Sequence, residues 1–448
     1  MLQYKAMNVL ARYQVTGRHA QEIVASVEAA VHAGQLAPGD ALPTVRQLAA
    51  ELEVSPGTVA AAYAALRRRG LVVTAGRRGT RVSGRPPLPA RPAPPRRAGT
   101  RDLVSGNPDV ELLPAIGPVL AGLAPGVRLY GESPNLPALV DLAHAQLDED
   151  GVPAGPIAVV SGALDGIERA LAAHARPGDK VAVEDPGYPP VFDLLAALGL
   201  APEPVRVDRG GPLPDALDRA LAARPVALVA TPRAQNPTGA ALGAGRATEL
   251  ARVLDHHPDV LVIEDDHAGQ VAGAPYRTLA AGRRHWAVVR SVSKALGPDL
   301  RLAVLRGDQD TVDRVEGRQL LGPGWVSHLL QATVAALWAD PATTRLLERA
   351  ARAYADRRSA LVAALARHGI GGHGDSGLNV WIPLKEEART TAALLDAGWA
   401  VAAGEPYRLR SAPALRVTVA TLRDRDEAEQ LAAALAAALA PTRQTRPA

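Results

Sequence analysis

The 448-residue sequence predicts two folded units in series: a small helical unit closed by a hairpin, and a larger α/β unit built on a mostly parallel sheet. Three observations lead there. Helical periodicity dominates residues 21–69, a Pro- and Arg-rich run interrupts the chain at 84–101, and short apolar runs then alternate with helical patterns. The expected domains are therefore 1–83, a linker at 84–101, a second domain at 102–440 and a tail at 441–448.

The first helix is expected over Gln21–Ala33, where Ile23, Val24, Val27 and Val31 share one face. After Pro38-Gly39, Thr44 suits an N-cap, with Val45, Leu48, Ala49 and Leu52 pointing inward. Ser55-Pro56 opens a third helix with a capping hydroxyl and Pro at the first helical position. That helix carries Val59, Tyr63 and Leu66 on one face. It ends in Arg67-Arg68-Arg69-Gly70, cations at the negative helix end before a Gly stop. Leu71–Val73 and Thr80–Val82 read as hairpin strands around the basic tip Ala75–Gly79.

Segment 84–101 holds six Pro and five Arg. Proline removes a backbone donor and fixes φ, so this run cannot be a helix or a central strand. It reads as an extended spacer of up to roughly 50 Å, at about 3.1 Å per residue. Beyond it, Ile157–Val160, Val181–Glu184, Ala227–Ala230, Val260–Glu264 and Ala287–Arg290 are the apolar runs between helical patterns, and they predict a sheet with helices on both faces. From about Leu330, Ala/Leu-rich helices precede strand-like Leu378–Ile382 and Leu415–Val419, a smaller C-terminal α+β subdomain.

Hydrophobic residues make up 47% and charged residues 21%, a globular balance. With no Cys, disulfides, thiolate metal sites and Cys nucleophiles are excluded, and a reducing compartment fits. Neither a signal-like segment nor a membrane-spanning run is present, so a cytoplasmic location with no membrane partner is expected. Charge is unevenly divided. Residues 1–101 carry 15 Lys+Arg against 5 Asp+Glu, and the remainder 35 against 41. A basic end on an otherwise acidic chain points to a polyanionic partner.

The turn at Glu53-Val54 joins two helices, and a basic hairpin follows: the winged helix-turn-helix arrangement. Its third helix can enter a major groove while wing arginines meet phosphate. The segment from Pro38 to Val82 resembles the N-terminal domain of the GntR family. The resemblance implies double-stranded DNA as partner and Arg46, Ser55, Thr58, Arg77 and Arg78 as DNA contacts. Pro56-Gly57 stand where the family usually places a large polar residue after the Ser, which removes two base-readers.

The strongest chemical signal is Ser291-Val292-Ser293-Lys294 with Arg301 downstream. A Lys placed after a buried strand, beside an anion site, presents its amine to an aldehyde. Ser291, Ser293 and Arg301 suit a phosphate. A carboxylate of Ile263-Glu264-Asp265-Asp266-His267, at the end of an apolar strand, can pair with a protonated pyridine nitrogen. Asn236, in Gln235-Asn236-Pro237-Thr238-Gly239, can donate to a phenolic oxygen. Gly162-Ala163 open a helix, with free backbone donors, and Tyr188 can stack on a ring.

In order and spacing these pieces resemble class I aminotransferases over about 102–440; with the GntR-like domain in front, the chain resembles the MocR/GabR subfamily of regulators. The resemblance implies a fold-type I PLP-dependent transferase domain and a homodimer. It also implies pyridoxal 5'-phosphate bound as an internal aldimine on Lys294, sensing PLP itself or a small amine or amino acid. Asp265 would pair with the pyridine nitrogen, Arg301, Ser291, Ser293 and the backbone at Gly162 and Ala163 would hold the phosphate, and Tyr130 would reach the neighbouring subunit's phosphate. Arg416 matches the arginine that grips a substrate carboxylate. Two departures affect the ring. His267 stands where the regulators usually carry Tyr, and Asn236 where they carry an aromatic. This suggests that the two share the phenolic oxygen, with His267 changing protonation near neutral pH. Pro189-Pro190 stand where GABA-responsive members have an arginine, so a GABA-like effector is not expected.

Three functions compete: a PLP-binding transcriptional regulator, an active aminotransferase with a vestigial N-terminal domain, and a repressor whose second domain only dimerises. A basic winged helix and spacer give an enzyme nothing, and Lys294, Asp265 and Arg301 give a dimerisation domain nothing.

Overall fold

A computed structural model describes residues 15–32, 35–37, 39–68, 71–74, 79–83, 99–124 and 126–440. Arg77, Arg78, most of the expected linker and the tail lie outside the described residues. The chain divides into two compact units, an N-terminal one and a larger one that carries an eight-stranded sheet.

The N-terminal unit holds α1 (Ala20–His32), α2 (Val45–Glu51), α3 (Pro56–Arg68) and the antiparallel pair β1 (Val72–Thr74) and β2 (Thr80–Val82), with Val72 opposite Val82. Ile23, Val24, Val27, Leu48, Ala49, Val59, Tyr63 and Leu66 meet in one core with Val72 and Val82. Val31, Val45 and Leu52 are only partly buried, packed at its edge. The buried Tyr63 hydroxyl donates to the Pro43 carbonyl at 2.8 Å, so its polar atom is satisfied. Thr44 makes a reciprocal cap: Gln47 N donates to Thr44 Oγ1 at 3.3 Å, and Thr44 N to Gln47 Oε1 at 3.0 Å. Ser55 Oγ accepts from Thr58 N at 3.1 Å at the start of α3.

The larger unit begins with β3 (Arg101–Asp102). Its main sheet contains β4 (Ile157–Val160), β5 (Lys180–Asp185), β6 (Ala201–Asp208), β7 (Gly211–Pro212), β8 (Ala227–Ala230), β9 (Leu261–Asp266), β10 (Trp286–Ser291) and β11 (Ala303–Gly307), in the order β4-β11-β10-β9-β8-β5-β6-β7. Strands β5, β8, β9 and β10 run parallel; β11 is antiparallel to both β10 and β4. The helices are α4 (Ile116–Gly122), α5 (Pro137–Glu149), α6 (Ala163–His174), α7 (Pro189–Ala197), α8 (Pro214–Ala222), α9 (Ala244–Asp255), α10 (Gln309–Leu320), α11 (His328–Ala339), α12 (Pro341–Arg367), α13 (Glu387–Asp396) and α14 (Arg425–Leu439). A second sheet pairs β12 (Asn379–Pro383), β15 (Ala414–Thr418) and β14 (Ala402–Ala403), while β13 (Trp399–Ala400) runs parallel to β3.

Strands β8, β9 and β10 are buried along their whole length, which is why each opens on an apolar run rather than an alternating one. The parallel register sets Asp265 beside Val289 and Asp266 beside Arg290, so β9 and β10 end at one level. Ligands in open α/β sheets bind beyond such strand ends. Among the described residues, no helix is long and apolar enough to cross a membrane.

Replacing Thr44 by Ala should cost the N-terminal unit about 1 kcal/mol. Native-state hydrogen exchange of the full chain would then show α2 amides exchanging about fivefold faster, with β9 and β10 unchanged.

Candidate functional site

A cavity of about 210 Å³ opens where β9 and β10 end. Asp265 from β9, Ser291, Ser293 and Lys294 from the end of β10, and Arg301 all line it. Ala163, Tyr188, Asn236, His267 and Arg416 complete the set that the sequence singles out. Gly162 adjoins the cavity through Arg301, while Tyr130 is 92% exposed and stands outside it.

Alternation along β9 sorts three consecutive buried carboxylates. Glu264 accepts from Tyr276 Oη at 2.7 Å, from Thr278 Oγ1 at 2.8 Å and from the Leu279 amide. Asp266 accepts from Arg233 Nε at 2.9 Å and Arg290 Nε at 2.7 Å. Burial opposes its ionisation, yet the two guanidiniums hold its carboxyl well below the usual carboxylate range. Asp265 lies between them in sequence and has neither kind of partner; its Oδ1 is buried without a hydrogen bond. Burial, Asp266 and Glu184 push its carboxyl up to about 7. Such a group calls for a cationic donor from whatever occupies the cavity.

Lys294 is part-buried, and burial, with Arg416 nearby, brings its amine down to about 8. Its Nζ donates to the Gly106 carbonyl at 2.7 Å. An amine with this lowered basicity is a usable nucleophile near neutral pH. Ser291 Oγ and Ser293 Oγ stand 3.1 Å apart, and Ser293 N donates to Ser291 Oγ at 3.2 Å. Arg301 sits in the left-handed region at φ 42°, a strained conformation for a side-chain-bearing residue, and its Nη2 donates to Ser161 O at 3.2 Å. Gly162 has φ 102°, and a Cβ there would lie 3.0 Å from Arg301 Nη2. The guanidinium, the serine pair and the N-terminal end of α6 together could hold an anion.

Arg416 reaches in from β15. Its Nη1 donates to Asn236 Oδ1 at 3.3 Å, its Nη2 donates to Val104 O, and its guanidinium lies 5.0 Å over the Tyr407 ring. Asn236 Oδ1 is thereby taken, also by Asn379 Nδ2 at 3.5 Å, which leaves the Asn236 amide free to donate into the cavity. Burial raises the Tyr188 phenol above its ordinary value.

His267 corrects an expectation. Burial and the neighbouring Lys294 bring its imidazole down to about 4, so it does not change charge near neutral pH. The neutral ring spends its Nε2–H on Ala234 O at 2.8 Å. Nδ1 then carries a lone pair, so His267 cannot donate to a phenolic oxygen alongside Asn236.

In the N-terminal unit Arg46 and Ser55 are exposed and Thr58 is half-buried. Ser55 Oγ and Thr58 Oγ1 lie 2.9 Å apart, so both hydroxyls serve the start of α3.

Sequence reasoning missed the segment Val104-Ser105-Gly106, which binds both Arg416 and Lys294. The turn signal Ser105-Gly106-Asn107-Pro108, with Gly106 at φ 64°, was the available clue. It also missed Glu184 and Gln235, joined at 3.0 Å behind the cavity.

Residues 102–435 match the family model for aminotransferase class I and II, and residues 19–82 that for bacterial regulatory proteins, gntR family. The chain is 42% identical over 429 residues to the vitamin B6 salvage pathway transcriptional repressor PtsJ of Salmonella typhimurium, covering 95% of this chain and 99% of that protein. It is 29% identical over 390 residues to the pyridoxine biosynthesis transcriptional regulator PdxR of Corynebacterium glutamicum, covering 75% and 77% of the two chains. In fold it is similar to the kynurenine aminotransferase of Pyrococcus horikoshii, with TM-score 0.70 at 19% identity over 76% of this chain and 91% of that one. The α-aminoadipate aminotransferase LysN of Thermus thermophilus is similar as well, at TM-score 0.67 and 23% identity over 76% and 92%. Two matched domains in this order, and a regulator alike over nearly its whole length, lead to one conclusion: the chain belongs to the MocR subfamily of GntR-family transcriptional regulators.

Proposed function

We propose that this regulator binds pyridoxal 5'-phosphate at the Lys294 cavity and adjusts its hold on DNA to the supply of that cofactor. The unpartnered, buried Asp265 carboxyl carries the reading: it is a costly group that a pyridinium N–H would satisfy. The other donors fit the same molecule. Arg301, Ser291, Ser293 and the start of α6 suit its phosphate, the Asn236 amide suits its phenolic oxygen, and Tyr188 suits its ring face. When bound, the cofactor supplies a carbonyl for Lys294 and an electron-withdrawing ring. The vitamin B6 roles of PtsJ and PdxR support PLP itself as effector over an unrelated amine.

The Lys294 amine cannot serve both the Gly106 carbonyl and a bound carbonyl. Occupancy therefore removes one of the bonds that hold the segment after β3, while Arg416 keeps the Val104 carbonyl. An effector acts only through unequal affinity for two arrangements, and this bond is one difference between them. Val127, Leu129, Tyr130 and Leu321 are each at least 68% exposed, and the Tyr130 ring stands 5.4 Å from that of Trp325. Apolar exposure of this kind suits burial in a homodimer, with Tyr130 reaching the second subunit.

A second reading, an active aminotransferase, draws on Arg416 at the cavity wall. Sustained keto-acid production from an amino donor and acceptor would establish it; a single half-reaction without recycling would not.

DNA footprinting at fixed salt, with and without PLP, tests the regulator. The expected result is a protected site in DNA flanking its own gene whose affinity shifts with PLP in the wild type and not in Lys294→Ala. Absence of any preferred site would refute it.

Asp265→Asn should act in opposite directions on two measurements. A buried carboxyl raised from 3.8 to about 7 penalises the folded state as pH climbs past 3.8, in full above about 7. The apo variant should therefore be more stable than wild type at pH 8, with the gain vanishing near pH 4. PLP retention should fall at least tenfold in the same variant, read by absorbance after dialysis. Gly162→Ala, which crowds Arg301, should also weaken retention while leaving the far-UV spectrum unchanged.

A further inference from the structure

At the opposite end of β10 from Ser291 lies a second group of chemistry-bearing side chains. His285 precedes β10, and Asp308 follows β11 as the N-cap of α10. Antiparallel pairing of Ala287 with Gly307 brings the two together, and Asp310 stands in the first turn of α10. One ligand atom from each of His285, Asp308 and Asp310 can be chosen so that all three lie within 4.8 Å of one another.

Three observations distinguish this group from an ordinary surface ion pair. The first is that His285 Nδ1 is buried yet has no hydrogen-bond partner. It faces Asp308 Oδ1 at 3.8 Å, too long for a hydrogen bond. That spacing suits two donors each about 2.1 Å from one shared cation.

The second is that Asp308 is held from behind. Its Oδ2 accepts from Trp286 N at 2.8 Å and Thr311 Oγ1 at 2.6 Å, while Oδ1 accepts only from Thr311 N at 3.0 Å. Oδ1 thus keeps a lone pair. Asp310 is oriented likewise, by Arg314 Nε at 3.0 Å from its Oδ1. Outer hydrogen bonds of this sort orient metal ligands.

The third is that imidazoles gather here. A cavity of about 520 Å³ beside the group is lined by His174, His256, His257 and His285, four of the chain's 11 histidines. Thr311 Oγ1 gives its proton to Asp308, so the 3.0 Å bond to His174 must be donated by Nε2, which leaves His174 Nδ1 bare. The His174 and His285 rings lie 5.5 Å apart. His256 is fixed too, with Nδ1 3.0 Å from Arg252 O and Nε2 left as acceptor.

We infer that His285, Asp308 and Asp310 form a binding site for a borderline transition-metal dication such as Zn²⁺ or Ni²⁺, with the His174 ring beside it. Mixed imidazole and carboxylate ligands favour these ions over Mg²⁺ or Ca²⁺, which take oxygen alone. In a chain without cysteine, this is the ligand chemistry that remains for them. The site ties the start of β10 to α10 and stands apart from the Lys294 cavity, so it binds independently of PLP.

The test is equilibrium dialysis of the full-length protein against Zn²⁺ alone, with metal and protein quantified. One zinc per chain is expected, and His285→Gln and Asp310→Asn should each weaken it at least tenfold. Both positions are partly or fully exposed, so the variants should keep the wild-type far-UV spectrum and PLP absorbance. His373→Gln, a histidine outside this cavity, should bind as wild type, and millimolar Mg²⁺ or Ca²⁺ should not displace the zinc. Failure to retain zinc, equal retention in His285→Gln, or displacement by Mg²⁺ would each overturn the assignment.

Discussion

The buried end of β9 carries Glu264, Asp265 and Asp266 in succession, and the rest of the site depends on how their charges are managed. Strand geometry sends alternate side chains to opposite faces. The outer two meet Tyr276, which bonds Glu264 and lies beneath the guanidiniums of Arg233 and Arg290 that hold Asp266. Asp265 faces the other way and meets no donor on its Oδ1. Isolated charge in a dry interior is costly, so the protein spends stability there whenever the Asp265 carboxyl is ionised.

The paired side of β9 also stiffens the site. Arg290 and Arg233 both reach Asp150, at 2.5 and 3.3 Å, so α5's C-terminal end, β9 and β10 share one ionic cluster. Lys294 leaves β10 only three residues after Ser291, and the cluster sets the strand from which it projects. On the cavity's other wall, Arg416 of β15 and Lys294 both bind the short segment after β3. The larger unit thus grips its own first described segment, just after β3.

Much of this was legible beforehand. Periodicity located α1 to α3 and the core strands because these elements follow periods of 3.6 and 2 or are wholly apolar. Local chemistry located the caps at Thr44 and Ser55, since an N-cap requires only a side-chain oxygen and amides two or three residues on. The cofactor-type residues announced themselves by type and order. The Val104–Gly106 segment did not, because it acts through backbone carbonyls that any residue offers. His267 misled because its charge state depends on burial and on Lys294, neither of which a sequence displays.

The sequence by itself determined the two-part build and singled out Lys294 and the acidic run Glu264-Asp265-Asp266 as candidates, because each rests on residue type and local spacing. Only the tertiary structure decided which of three adjacent acids is left without a partner, how far the Lys294 amine is lowered, and which imidazoles share a cavity. Those outcomes rest on desolvation and on charges brought close by strand pairing. Both arise between residues far apart in the chain.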